Sequence, residues 1–160
     1  MTTPIVRLEG EGERRRFLGG GIHTWKLTDA ETDGALMVFE DVMTEGKLTP
    51  LHCHPEADEM AFVLEGEILV HHEGSEPMKV GAGGMTFVPR GVAHALKVIS
   101  PSARLLSIHT PGASEAFYRQ ASEPYVDAEA DLPPDFDRVR AAAADTGETN
   151  ILGPPPFERV

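Results

Sequence analysis

The stretch Gly46-Lys47-Leu48-Thr49-Pro50-Leu51-His52-Cys53-His54-Pro55-Glu56-Ala57-Asp58-Glu59, followed by Gly66, organises the reading of the whole chain. Two histidines separated by one residue project to the same side of an extended strand, because successive side chains alternate faces. Cys53 then points the other way and reads as a packing residue rather than a nucleophile. Glu59 on the adjoining strand and His94, 40 residues beyond His54, can close a site of three imidazoles and one carboxylate. That donor set suits one divalent transition metal, with Fe, Ni, Mn, Co, Cu and Zn all open. A lone histidine is usually solvated or satisfied in a core. The argument for metal rests on His52, His54, Glu59 and His94 together.

Working outward, short apolar runs are punctuated by glycine, proline and aspartate. Strands are expected at Ile22–Leu27, Ala35–Val42, Leu51–His54, Glu59–Leu64, Glu67–His72, Pro77–Val80, Met85–Val88, Ala93–Val98 and Leu105–Thr110. Many short strands with glycine turns and no intervening helices indicate an all-β antiparallel sandwich or barrel, of which the jelly roll is one form. After Pro111 the character changes. Ser114 to Ala121 and Asp135 to Ala144 are helix-compatible, Glu123 to Asp131 is acidic and irregular, and Ile151 to Pro156 reads as an extended tail. The expected organisation is a barrel over residues 1–112 and an extension over 113–160 that packs on it. The glycine runs at 19–21 and 81–84 lack a following Lys-Ser/Thr and read as turns rather than phosphate cradles.

Composition sets the outer limits. A chain of 160 residues can bury one real core. Its net charge of −12 argues against nucleic acid or anionic membrane as partners. Arg14-Arg15-Arg16 is the local exception, expected as a solvated strand edge or loop. No apolar run is long enough to span a membrane, and the N-terminus lacks the order of a signal peptide. The single cysteine excludes an internal disulfide and fits a reducing cytoplasm.

The spacing of these residues resembles the cupin superfamily. Gly46, five residues, His52-Cys53-His54, four residues, Glu59, six residues and Gly66 follow its first motif. Gly83, five residues, Pro89-Arg90-Gly91, two residues and His94 follow its second, except that Val98 stands where Asn is usual. The motifs cover residues 46–98. The departure at Val98 lies outside the four candidate ligands. The run Met85 to Ala95, Thr110-Pro111-Gly112 before a Phe117-containing helix, and the closing Ile151-Leu152-Gly153-Pro154-Pro155 are similar to small quercetin 2,3-dioxygenase-like cupins.

The resemblance implies a cupin double-stranded β-helix, or jelly-roll barrel, with short C-terminal helices. It implies a metal-dependent dioxygenase acting with O2 on a flavonol-like or other enolic or phenolic small molecule. The proton-accepting role then falls on Glu59. A non-redox metal enzyme (isomerase, cyclase or dehydratase) and a non-catalytic ligand-binding cupin remain open, because fold and metal site do not determine the reaction. A homodimer is expected, with Ile5 to Leu18 as the segment that pairs with a partner barrel. Strand alternation places Ala61, Val63, Leu96 and Val98 on the ligand face. Trp25, Met37, Phe39 and Phe87 are further candidates for a pocket lining. His23, His71, His72 and His109 fall outside the motifs, and at most one of His71 and His72 faces inward.

Overall fold

Alternation along single strands shows how this chain builds two opposed faces. In Met37–Thr44 the side chains of Met37, Phe39, Asp41 and Met43 are buried, while Val38, Glu40, Val42 and Thr44 face outward. The computed structural model describes residues 3–19, 21–126 and 133–157. In chain order the elements are β1 (Arg14–Phe17), β2 (Gly21–Leu27), a 3-10 turn at Ala30–Thr32, β3 (Met37–Thr44), β4 (Leu51–Cys53), β5 (Asp58–Glu65), β6 (Glu67–His72), β7 (Met78–Gly81), β8 (Met85–Val88), β9 (His94–Val98) and β10 (Ser102–Thr110). Then come α1 (Glu115–Ala121), β11 (Glu123–Pro124), α2 (Phe136–Thr146) and β12 (Asn150–Gly153).

These strands form two antiparallel sheets, one ordered β11-β1-β2-β3-β10-β5-β8 and the other β12-β4-β9-β6-β7. The two sheets enclose a core in which Met37, Val63, Ile68, Val98 and Leu105 are almost completely buried. Burying each such side chain contributes on the order of 2 kcal/mol. The arrangement is the double-stranded β-helix that the resemblance implies. Gly66 makes the tight β5–β6 turn at φ +78°, and a Cβ there would meet the Ser102 carbonyl oxygen at 2.1 Å. Only glycine fits.

The nine expected strands are all present, with ends shifted by a few residues at most. Three others, β1, β11 and β12, are additions, and all three lie at or next to sheet edges. Arg14-Arg15-Arg16 is a strand edge, but the C-terminal extension occupies it. Arg15 donates to the Ser122 hydroxyl at 2.6 Å and to the Arg119 and Ser122 carbonyls at 3.0 and 3.1 Å. Arg16 pairs with Glu123, and the Arg14 guanidinium lies 4.1 Å from the centre of the Tyr125 ring. The N-terminal segment expected to pair with a second barrel thus commits Arg14–Phe17 to pairing within the chain, with β2 on one side and β11 on the other.

The two helices contribute side chains to the same core. Helix α2 starts where the Asp135 carboxylate accepts the Arg138 N–H at 3.0 Å. It ends at left-handed Gly147, whose N–H reaches the Ala143 carbonyl. Val139, Ala142 and Ala143 of α2, with Phe117, Tyr118 and Ala121 of α1, join the main core. Strand β12 then pairs with β4, the strand that carries His52. Of the acidic segment read as irregular, Glu123–Pro124 forms β11, and 127–131 lies outside the described residues. No helix among the described residues is long and apolar enough to cross a membrane.

Candidate metal centre

Strands β4, β5 and β9 converge on one buried cluster. His52 and His54 leave β4 and its end on the same side, Glu59 comes from the start of β5, and His94 opens β9. One donor atom from each of the four lies within 4.8 Å of the other three, and all four residues are buried. Glu59 Oε2 stands 3.0 Å from Nε2 of His54 and 3.0 Å from Nε2 of His94. Cys53 is buried on the opposite face of β4, as alternation requires.

Each of the three imidazoles is held by its other nitrogen. His52 Nδ1 donates to the Pro50 carbonyl at 2.9 Å, and His94 Nδ1 donates to the Val92 carbonyl at 3.0 Å. His54 Nδ1 lies 3.1 Å from the Thr149 hydroxyl. Anchoring of this kind sets ring orientation and leaves Nε2 as the inward donor. Nε2 of His54 is buried and has no hydrogen-bond partner among the described residues, although it is in ion-pair contact with Glu59. Three imidazoles and one carboxylate gathered this closely fit a single divalent cation.

The electrostatics of the metal-free cluster follow from burial and crowding. Burial lowers the pKa of His52 well below the ordinary imidazole value, and His94 and His54 push it the same way. Burial acts to raise the Glu59 pKa, but attraction to His94 and contacts to His54 and His94 leave it well below the carboxylate range. For His94 burial is outweighed by the Glu59 carboxylate and the Val92 carbonyl, so its pKa is raised. A cation at His94 would therefore compete with a proton that Glu59 favours there.

Other polar groups stand around this cluster, and the motif spacing marks none of them. His109, fully buried on β10, is the cross-strand partner of Glu59, with Nε2 3.8 Å from Glu59 Oε2. The Tyr118 hydroxyl of α1 is 3.4 Å from His109 Nε2. Burial drives the His109 pKa down to about 3 and the Tyr118 pKa well above its ordinary value, so both are neutral near pH 7. His23 stacks on Tyr118 at 5.4 Å, and its Nδ1 is 2.8 Å from the Asp41 carboxylate. Alternation could have found His109, since Ala103, Leu105, Ser107 and His109 share the buried face of β10. Nothing in the sequence pointed to Thr149 or Tyr118.

Among the pocket candidates, Ala61 and Val63 share the buried face of Glu59, and Leu96 and Val98 share the face of His94. Trp25, Met37 and Phe39 are also buried. Phe87 is corrected: its cross-strand partner is Met60 on the outer face, and it is 53% exposed. Of the vicinal pair on β6, His72 is opposite His94 in register and bonds Thr86 at 2.8 Å. The cavity that reaches His52 is lined by other residues, including Phe17, Leu18, Phe117, Tyr118, Val139 and Ile151. Its volume is about 30 Å³. Pro50 and Ile151 also line a groove of about 560 Å³ together with Phe136, Arg140 and Leu152.

Residues 39–109 match the cupin domain family. Quercetin 2,3-dioxygenase of Bacillus subtilis (strain 168) is 27% identical over 122 residues, covering 76% of this chain and 36% of that longer protein. A predicted oxalate decarboxylase from Thermotoga maritima superposes with a TM-score of 0.58 at 21% identity, over 68% of this chain and 99% of its own. A recombinant oxalate oxidase in complex with glycolate superposes with a TM-score of 0.51 at 27% identity, over 59% of this chain and 52% of its own. The domain match spans His52, His54, Glu59 and His94, and the superposed structures share the fold; residues 39–109 of this chain are a cupin domain.

Proposed function

We propose that this cupin is a metal-dependent dioxygenase that oxidises a flavonol-like or other enolic or phenolic small molecule with O2. His52, His54, Glu59 and His94 would hold one divalent transition metal. The observation that carries this reading is the buried cluster of three histidines and one glutamate, its imidazoles each anchored through Nδ1 and its donor atoms gathered within 4.8 Å. When bound, the cation supplies Lewis acidity toward an acidic hydroxyl and, if redox-active, electron exchange with O2.

The residues of the chain supply the rest. Glu59 is ionised near neutral pH and can accept the hydroxyl proton of a substrate, the role that the relatedness to quercetin 2,3-dioxygenase suggests. Phe17, Leu18, Phe117 and Val139 give the approach to His52 an apolar lining that excludes water and suits an aromatic or enolic substrate. The extension belongs to the same unit as the barrel in this reading, and the active form is a homodimer in a reducing cytoplasm.

Purified protein is first measured for bound metal, then for O2 uptake with quercetin and simpler phenols. Ring opening with release of carbon monoxide supports the proposal. Turnover under strict anaerobiosis would overturn it in favour of a non-redox metal enzyme. A void of about 30 Å³ beside His52 favours a compact enolic or phenolic substrate over a three-ring flavonol. Binding without turnover in every metal form would instead mark a ligand-binding cupin.

A further inference from the structure

We propose that Thr149, delivered by the C-terminal extension, is a positioning residue for the metal site and acts through His54. The inference rests on the metal-binding reading above. The contrast among the three imidazoles is what carries it. His52 and His94 each rest on a carbonyl two residues earlier in the chain, Pro50 and Val92, so their anchors come with the motifs themselves. His54 instead rests on the hydroxyl of Thr149, 95 residues away and outside the 39–109 match.

Pairing between β12 and β4 explains how Thr149 arrives there. Asn150 is opposite Cys53 and Ile151 is opposite His52 in an antiparallel register, so the next position back sets Thr149 alongside His54. The neighbouring residue ties the same turn to α1, because the Glu148 carboxylate accepts the Phe117 N–H at 2.8 Å. Thr149 is 1% exposed and His54 is 2% exposed, which leaves bulk water no room to replace the hydroxyl.

The hydroxyl also has the right chemistry. For Nε2 of His54 to bind a cation, the imidazole must be neutral with its proton on Nδ1, and that N–H then needs an acceptor. A threonine oxygen accepts it. The same hydroxyl can rotate and donate to Nδ1 when the cation is absent and Nε2–H faces Glu59 Oε2, 3.0 Å away. A side chain of the same shape without the oxygen serves neither state.

The test uses the full-length chain with Thr149→Val and Thr149→Ser. Co(II) affinity is measured at pH 7 by competition with a chromophoric chelator, and the visible absorption of the bound Co(II) reports its ligand geometry. Thr149→Val should weaken binding roughly 10- to 100-fold and alter the Co(II) spectrum. Thr149→Ser should keep most of the affinity and the wild-type spectrum. If Thr149→Val misfolds, Thr149→Ala against Thr149→Ser isolates the same oxygen. Equal affinities and spectra for wild type and Thr149→Val overturn this proposal alone. Thr149→Ser as weak as Thr149→Val also overturns it, since side-chain shape would then be the cause. A wild-type chain that binds no Co(II) or other divalent metal overturns the metal reading itself. None of these readouts depends on which reaction the protein catalyses.

Discussion

His52 and His94 are cross-strand partners: β4 and β9 pair at this one position, and the two rings stand 4.3 Å apart between centres. Two imidazoles so close and so buried cannot both carry charge, which keeps His52 neutral while Glu59 supports a proton on His94. Sheet pairing therefore sets an imidazole with a lowered pKa directly beside one with a raised pKa.

Loss of either partner should empty the site without unfolding the barrel. His52→Ala and His94→Ala are each expected to reduce metal content, measured by elemental mass spectrometry, to background. Circular dichroism should remain that of a β-sheet protein, because neither residue belongs to the apolar core cluster. Unchanged metal content in both variants would contradict the ligand assignment.

Glu59→Gln separates coordination from proton transfer. The amide keeps an oxygen donor of the same reach but loses the charge that raises the His94 pKa. Some metal should be retained. Turnover of an enolic substrate should fall roughly 100- to 10,000-fold, the usual worth of a general base. Wild-type rates at full metal occupancy would remove Glu59 from the proton-accepting role.

Acid should destabilise the metal-free protein over a window set by His109. Its pKa is about 3 in the folded chain against an ordinary 6.5, so between these values the unfolded chain binds the proton and the folded chain does not. The stabilisation is complete above about pH 6.5 and is lost as pH falls toward 3, on the order of 5 kcal/mol in all. His52 acts in the same direction, and His94, with its raised pKa, acts in the opposite one. Urea unfolding at several pH values should give a shallower dependence for His109→Gln. A slope unchanged from wild type would show that His109 is not the group responsible.

The motif glycines should differ in cost. Gly46 and Gly66 both have positive φ, 81° and 78°, but open space surrounds Gly46 while the Ser102 carbonyl oxygen would sit 2.1 Å from a new Cβ at Gly66. Gly46→Ala should cost about 1–2 kcal/mol, from the left-handed backbone alone. Gly66→Ala should cost clearly more, because the clash is with backbone. Denaturant midpoints measured side by side decide the order.

Local pattern carried most of the fold. The nine expected strands were legible because apolar alternation and glycine turns are properties of neighbouring residues. The Ser114–Ala121 and Asp135–Ala144 segments were legible for the same reason and became α1 and α2 with small shifts at their ends. β11 and β12 were not, since each is held as a strand by pairing with a distant segment, Glu123 opposite Arg16 and Asn150 opposite Cys53; β1, paired with neighbouring β2 as well, is a charged run without apolar alternation. Phe87 was misplaced among pocket candidates because an edge strand of four residues contains too little alternation to say which side faces the core.

By itself the sequence determined the barrel class and which four residues meet, because His-x-His alternation and glycine-limited strand lengths constrain a site locally. Only the tertiary structure decided what surrounds those four. Thr149 reaches His54 through the β12–β4 register, His109 reaches Glu59 across β10 and β5, and Tyr118 comes down from α1. Thr149 and His109 lie far along the chain from His54 and Glu59, and Tyr118 arrives on a separate helix. Their existence as neighbours depends on how sheets and helices dock, and no short-range pattern records that.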